Sequence, residues 1–245
     1  MIYYIYDGTF DGLLTSIYES YYRKENPDDI VALERLEENF LIEKVYIITD
    51  KEKASKVYRS IEEKISLEAL RRIFYAYLSE LPKNGINILN YLKVGYKMGS
   101  NVDNNLANDA VLTMDKINHK VSMERHRLVG LLRFKMLENG ILYSNLEPEY
   151  NIIGSLAPHF ANRMSNENWV IHDIKRNIGV FYNKKEWIIK DFVLEDNVII
   201  REDEEEYQEL WKAYYRHISI ESRKNLRLKK NNMPMKYWKH LVEIN

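Results

Sequence analysis

The chain has no cysteine among its 245 residues, and that absence removes several chemistries at once. Disulfides, thiolate nucleophiles, iron–sulfur clusters and every zinc site built with sulfur need a side chain that is not there. A His/carboxylate site is the remaining metal option. The six histidines, at 119, 126, 159, 172, 217 and 240, form neither HxH nor HExxH, so no metal and no other cofactor is expected. No run reaches the roughly 18 apolar residues of a membrane span. The opening Met1-Ile2-Tyr3-Tyr4-Ile5-Tyr6-Asp7 also lacks the basic stretch of a secretory signal, and a cytoplasmic protein without a membrane partner is expected. A Walker loop, GxGxxG, GxSxG and the kinase motifs are missing as well, which takes away the familiar nucleotide-driven and acyl-transfer chemistries.

What is present is a globular balance, 45% hydrophobic and 30% charged residues, enough for a core and not the composition of a disordered chain. The 19 tyrosines accompany heavy use of Ile, Lys and Asn, the pattern of an AT-rich genome. Net charge is −1, but it is unevenly spread. Residues 1–115 hold 14 Lys/Arg against 19 Asp/Glu, and residues 116–245 hold 22 against 18. From Lys212 to His240 there are nine Lys/Arg and a single acid, Glu221, directly after the acidic run 202–206. Such polarity fits anion binding, or equally a solvated helix whose charges match its dipole.

Hydrophobic periodicity predicts an α+β fold. Ile2–Tyr6 reads as a strand, followed by a helix through Phe10, Leu13, Leu14, Ile17, Tyr18 and Tyr21. Val45–Thr49 reads as a second strand. Asp50 and Ser66 are helix caps before two apolar-periodic runs, and further helices are expected over 86–96 and through Leu106–Val121. From Arg127 the period changes to two, and Asn139-Gly140 signals a hairpin turn. A short helix containing Pro158 follows, then strands over 169–173, 178–182 and 186–192. A closing helix is expected to turn Tyr207, Leu210, Trp211, Tyr214 and Ile218 inward. The expected organisation is an N-terminal α/β and helical region, 1–115, then a basic region, 116–245, with an antiparallel ββαβββα sheet backed by helices. The alternative is one compact unit.

Three groups of residues are candidates for chemistry. His172 and Asp173 are strand neighbours that point to opposite faces, so adjacency alone does not pair them. His159, His172 and Asp173 are candidate acid–base residues, and for His172 a structural role is the competing reading. His159 and Arg163 lie four apart on one helix and can present two donors to one anion. The third group is basic: His126, Arg127 and Arg133 around the hairpin, Arg176 in a turn, and Arg223, Arg227 and Lys229 with Trp238 and Lys239 near the C-terminus. Clustered cations interleaved with aromatics suit phosphate contact and base stacking. Asp7 and Asp11, in the turn after the first strand, are either a carboxylate pair or turn and cap residues.

Several of these residues form a recognisable set: Tyr6-Asp7-Gly8-Thr9-Phe10-Asp11-Gly12-Leu13-Leu14; His126 with Gly130, Leu132, Arg133 and Phe134; Glu147-Pro148; Leu156-Ala157-Pro158-His159-Phe160 with Arg163; Trp169, Ile171-His172-Asp173 and Arg176; Met233-Pro234 with Tyr237-Trp238-Lys239. In these the chain resembles the bacterial "probable DNA metabolism protein" family, built on a domain of unknown function. Where the family pattern has Asn-Pro-Arg, this chain has Asn225-Leu226-Arg227. The resemblance implies a role in DNA repair or modification, and the expected partner is DNA, with single-stranded and damaged DNA among the forms it can take and the sequence deciding neither. It also implies a radical SAM protein as neighbour, and some relatives join the domain to a uracil-DNA glycosylase domain. A chain without cysteine cannot hold the radical cluster, so that chemistry would belong to the partner. The resulting expectation is a DNA-binding accessory factor. Its alternatives are a nucleic-acid hydrolase or glycosylase/lyase using the His/Asp and Arg residues, and a protein-interaction scaffold.

Overall fold

The computed structural model of the chain describes residues 1–37, 40–194, 200–201 and 203–244. It is an α+β structure that divides into two compact units, Met1–Ser122 and Met123–Asn245. Among the described residues no helix is long and apolar enough to cross a membrane.

In the first unit, strand β1 (Ile2–Tyr6) leads into α1 (Phe10–Arg23), β2 (Asp29–Ala32), β3 (Glu43–Tyr46), α2 (Lys51–Lys64), α3 (Leu67–Ser79) and α4 (Asn84–Met98). β1 lies between β2 and β3 and is parallel to both. Each of the first three helices begins where a short polar side chain satisfies free backbone amides. Thr9 accepts from the Gly12 amide, Asp50 from the amides of Glu52 and Lys53, and Ser66 from that of Ala69. α1 then buries Leu13, Leu14 and Ile17, and α2, packed on it, buries Ala54, Val57 and Ile61.

The turn after β1 is built around Asp7. Its carboxylate accepts from the Thr9 amide at 3.0 Å, the Thr9 hydroxyl at 2.6 Å and the Thr49 hydroxyl at 2.8 Å. These bonds tie the turns that follow β1 and β3, and despite some burial they hold the carboxyl below its usual range. The turn-and-cap reading therefore accounts for Asp7. Gly12 is glycine for lack of space, because a Cβ there would overlap Asp7 Oδ1 and lie 2.8 Å from Thr49 Oγ1.

The second unit begins inside α5 (Asp109–Leu131) and continues with β4 (Lys135–Met136), β5 (Leu142–Leu146), α6 (Ile153–Arg163), β6 (Asn168–Asp173), β7 (Ile178–Asn183) and β8 (Trp187–Asp191). The sheet order is β4-β5-β6-β7-β8. Its core is aromatic: Trp169 is fully buried, stacks on Tyr182 at 5.0 Å, and meets Phe160 of α6 edge-on. The C-terminal segment carries α7 (Glu204–Ile218), α8 (Leu226–Asn232) and a 3-10 turn over Met235–His240.

Several expectations need correction. β2 was not foreseen, and β3 covers Glu43–Tyr46 instead of Val45–Thr49. The change of period at Arg127 does not mark a strand, because α5 continues to Leu131. Val111, Met114, Ile117, Val121, Leu128 and Leu131 keep one buried helical stripe, which outweighs the short alternation beyond it. Only Lys135–Met136 pairs with β5, across the expected Asn139-Gly140 turn with Gly140 at φ +77°. The sheet is mostly antiparallel, but β5 and β6 are parallel, with α6 as their crossover. Pro158, expected either in the first turn of its helix or at a kink, stands in the second turn of α6. The stripe of α7 expected to face inward is exposed: Tyr207, Leu210, Trp211, Tyr214 and Ile218 all lie at the surface. Of the acidic run before it, residue 202 lies outside the described residues.

The glycine contacts set a stability test. Gly12→Ala should destabilise the protein by about 1–3 kcal/mol through overpacking. Gly130→Ala, in α5 with nothing within 4 Å of the new Cβ, should stabilise it by about 0.5–1 kcal/mol. Denaturant unfolding of the two variants beside the parent checks both signs.

Candidate nucleic-acid interface

Three buried carboxylates of the second unit, Glu124, Asp173 and Glu243, have each drawn a cation to themselves, since an unpaired charge removed from water is costly. Glu124, with a side chain 5% exposed, accepts from the amides of Glu149 at 2.9 Å and Tyr150 at 3.0 Å and from Lys236 Nζ at 3.1 Å. The Tyr237 hydroxyl donates a further short bond to it. Burial and this bond push the Tyr237 phenol far above its ordinary value, so it stays a donor. Glu243, 1% exposed, receives Arg133 through two parallel bonds, Nε at 3.1 Å and Nη2 at 2.6 Å. Burial raises the Glu243 carboxyl, and the Arg133 bonds outweigh it and hold the group below its usual range. Asp173, fully buried, pairs with Arg176 Nη1 at 3.0 Å, and Arg176 also donates to the carbonyls of Pro148 and Glu149.

These ties place the loop after β5 and the C-terminal 3-10 turn together. Lys236 bridges Glu124 to Glu149 at 2.8 Å, and Lys239 reaches Glu147 at 2.7 Å. Tyr237 and Leu241 are the buried anchors of this segment, while Trp238 is half-buried with its indole N–H on the Met233 carbonyl. Lys229 of α8 lies over two rings, 5.6 Å from the centroid of Tyr215 and 5.4 Å from that of Trp238. That is a cation–π clasp between α7, α8 and the 3-10 turn.

Of the candidate acid–base residues, His172 and Asp173 are engaged in the fold by polar partners. His172 Nδ1 is 2.8 Å from the Tyr143 hydroxyl, and its ring packs edge-on against Phe192 at 4.6 Å. Burial lowers the His172 pKa against the pull of the Phe192 backbone and Asp173. Burial also pushes the Tyr143 phenol up to about 12. The pair is therefore neutral at neutral pH, joined by one hydrogen bond between the phenol and Nδ1. Burial raises the Asp173 carboxyl against the opposing effect of Arg176. His159 is half-buried on α6, edge-on to Phe160 at 5.0 Å, with Nε2 enclosed and unbonded. Arg163, one turn on, is exposed. Among the described residues no hydrogen bond joins His159, Arg163 and His172, and no group of three His, Asp or Glu is placed to hold a metal.

The cations thus fall into two sets. Arg133, Arg176, Lys236 and Lys239 are held by carboxylates of their own unit. Arg223, Arg227 and Lys230 are exposed, and among the described residues no carboxylate pairs with them. Arg227 and Lys230 sit three apart on α8, whose first turn is closed by the Asn225 side chain accepting from the Leu228 amide at 3.0 Å. Leu226, which replaces proline in the family pattern, stands at the first helical position, where proline is readily accommodated and any residue can take its place. On α5, His126 is exposed and Arg127 half-buried. Glu124 is the residue that sequence reasoning missed. Its signal was an acid inside an apolar stripe, between Val121 and Leu128.

Fold and site define an α+β protein whose second unit is locked by buried ion pairs and ends in an exposed basic segment. The chain belongs to the family described as a domain of unknown function (DUF4130), whose model matches residues 82–243. That match takes in Glu124, the Asp173–Arg176 pair and the basic segment, and leaves the Asp7–Gly12 turn outside. None of the curated proteins compared with the chain matches it.

Glu124 provides the structural test. Glu124→Ala strips two amides, a phenol and an ammonium of their shared acceptor and should cost about 3–5 kcal/mol. Urea unfolding of the variant, compared with Glu138→Ala at an exposed site, measures it, and equal midpoints for the two would contradict the role assigned to Glu124.

Proposed function

We propose that the protein is a DNA-binding accessory factor in DNA repair or modification, acting beside a radical SAM partner, and that its 223–230 segment makes the phosphate contacts. The observation that carries this reading is the division of the cations. The buried carboxylates Glu124, Asp173 and Glu243 each hold a cation, yet among the described residues Arg223, Arg227 and Lys230 are exposed without such a partner. An exposed cluster of this kind attracts a polyanion by releasing its counterions. The accessory role fits the engagement of His172 with Tyr143 and of Asp173 with Arg176, which leaves neither residue as an open acid–base group. The resemblance in the motifs around Arg133, His159, His172 and Trp238 supplies the link to DNA and to the radical SAM protein. The lack of cysteine assigns any cluster chemistry to that partner.

The test is a titration of labelled DNA at rising salt. Affinity should fall steeply, and Arg227→Ala and Lys230→Ala should each weaken binding and reduce the salt slope by about 0.7–0.9. No binding at low salt, or binding indifferent to salt, overturns the reading. The accessory role predicts no product from uracil-containing, abasic or alkylated oligonucleotides with the protein alone. Product that disappears in His159→Ala or His172→Ala would overturn it.

A further inference from the structure

The basic segment follows a helix whose outer face is aromatic. Tyr207, Trp211 and Tyr214 recur along one side of α7 and are 63%, 40% and 55% exposed, with Leu210 and Ile218 beside them. The helix is held with that side outward by bonds made elsewhere on it. The Glu204 carboxylate accepts from the Met136 amide at 2.8 Å, Gln208 bonds to Glu204, and the Tyr215 ring lies under Lys229. Trp211 is itself fixed: its indole N–H donates to Glu243 at 3.1 Å, and the Arg133 guanidinium lies 5.3 Å over its ring. Tyr214 stands next to it, with ring centroids 5.7 Å apart and planes inclined by 37°. The result is a pre-set aromatic pair at the surface.

Charge around this pair is graded. Glu205, Glu206 and Glu209 occupy the start of α7 beside Tyr207. Beyond Trp211 the exposed residues include the cations Arg216, Arg223, Arg227 and Lys230, interspersed with apolar and neutral side chains. A ligand with flat apolar faces and regularly spaced negative charges matches that sequence of surfaces in one direction only, from Trp211 and Tyr214 toward α8. We infer that the Trp211–Tyr214 pair is a base-stacking platform, and that the nucleic acid bound by this protein is single-stranded along it. This rests on the nucleic-acid reading above and adds strandedness and polarity to it. A duplex keeps its base faces stacked inside and can offer only phosphates, whereas a single strand presents both. The acidic start of α7 excludes phosphates there, so Tyr207 contributes little.

Affinity for a twelve-nucleotide thymidine strand and for a duplex of the same length, at one salt concentration, tests the inference. The single strand should bind more tightly and quench tryptophan fluorescence. Tyr214→Ala, at an exposed position, should weaken single-strand binding about tenfold without altering the salt slope. Tyr214→Phe should restore it, and Tyr207→Ala should match the parent. Equal affinity for both strands together with a silent Tyr214→Ala overturns the stacking platform and leaves salt-dependent DNA binding standing. Absence of binding to either ligand overturns both readings. A Tyr214→Ala variant that binds DNA like the parent but loses self-association in light scattering would make the face a protein interface and overturn the inference.

Discussion

The second unit depends on one buried charge. A carboxylate in an apolar stripe needs donors around it, and the chain brings those of Glu124 from two distant places, the loop at 149–150 and the C-terminal turn at 236–237. That requirement fixes where the C-terminal segment lies. It also sets the position of Trp238, and through the Lys229 clasp that of α8. A hydrophobic residue at 124 would bury as easily but would not specify which segments converge on it.

The same logic sorts the basic residues. Composition alone treats every lysine and arginine of the second half as a candidate for phosphate. Burial separates them, because Asp173 and Glu243 need partners as Glu124 does and take Arg176 and Arg133. Arg133 then acts twice, neutralising Glu243 and covering part of the Trp211 ring. Among the cations left at the surface are Arg223, Arg227 and Lys230, beyond α7.

Local chemistry was legible in the sequence wherever it is decided within a few residues. Asp50 and Ser66 cap the helices that their positions predict, and Asn139-Gly140 turns the β4–β5 hairpin. The strands at 168–191 were legible as apolar runs separated by polar turns. Features decided by distant partners were not legible. The ion pairs of Arg133 and Glu243, 110 residues apart, and of Lys236 and Glu124, 112 apart, leave no periodic trace. α7 shows the other limit. Its apolar stripe was readable, but amphipathicity reports a face that needs covering and does not say what covers it. Here polar anchors on Glu204 and Gln208 turn that face outward.

The central claim is that the interior holds one set of cations and leaves the other for DNA. Side-chain NMR of arginine Nε and lysine Nζ groups during an oligonucleotide titration tests it most directly. The account predicts that the resonances of Arg223, Arg227 and Lys230 shift with added DNA, while those of Arg176 and Lys236 stay in place. Shifts at Arg176 and Lys236 with none in the 223–230 segment would contradict it.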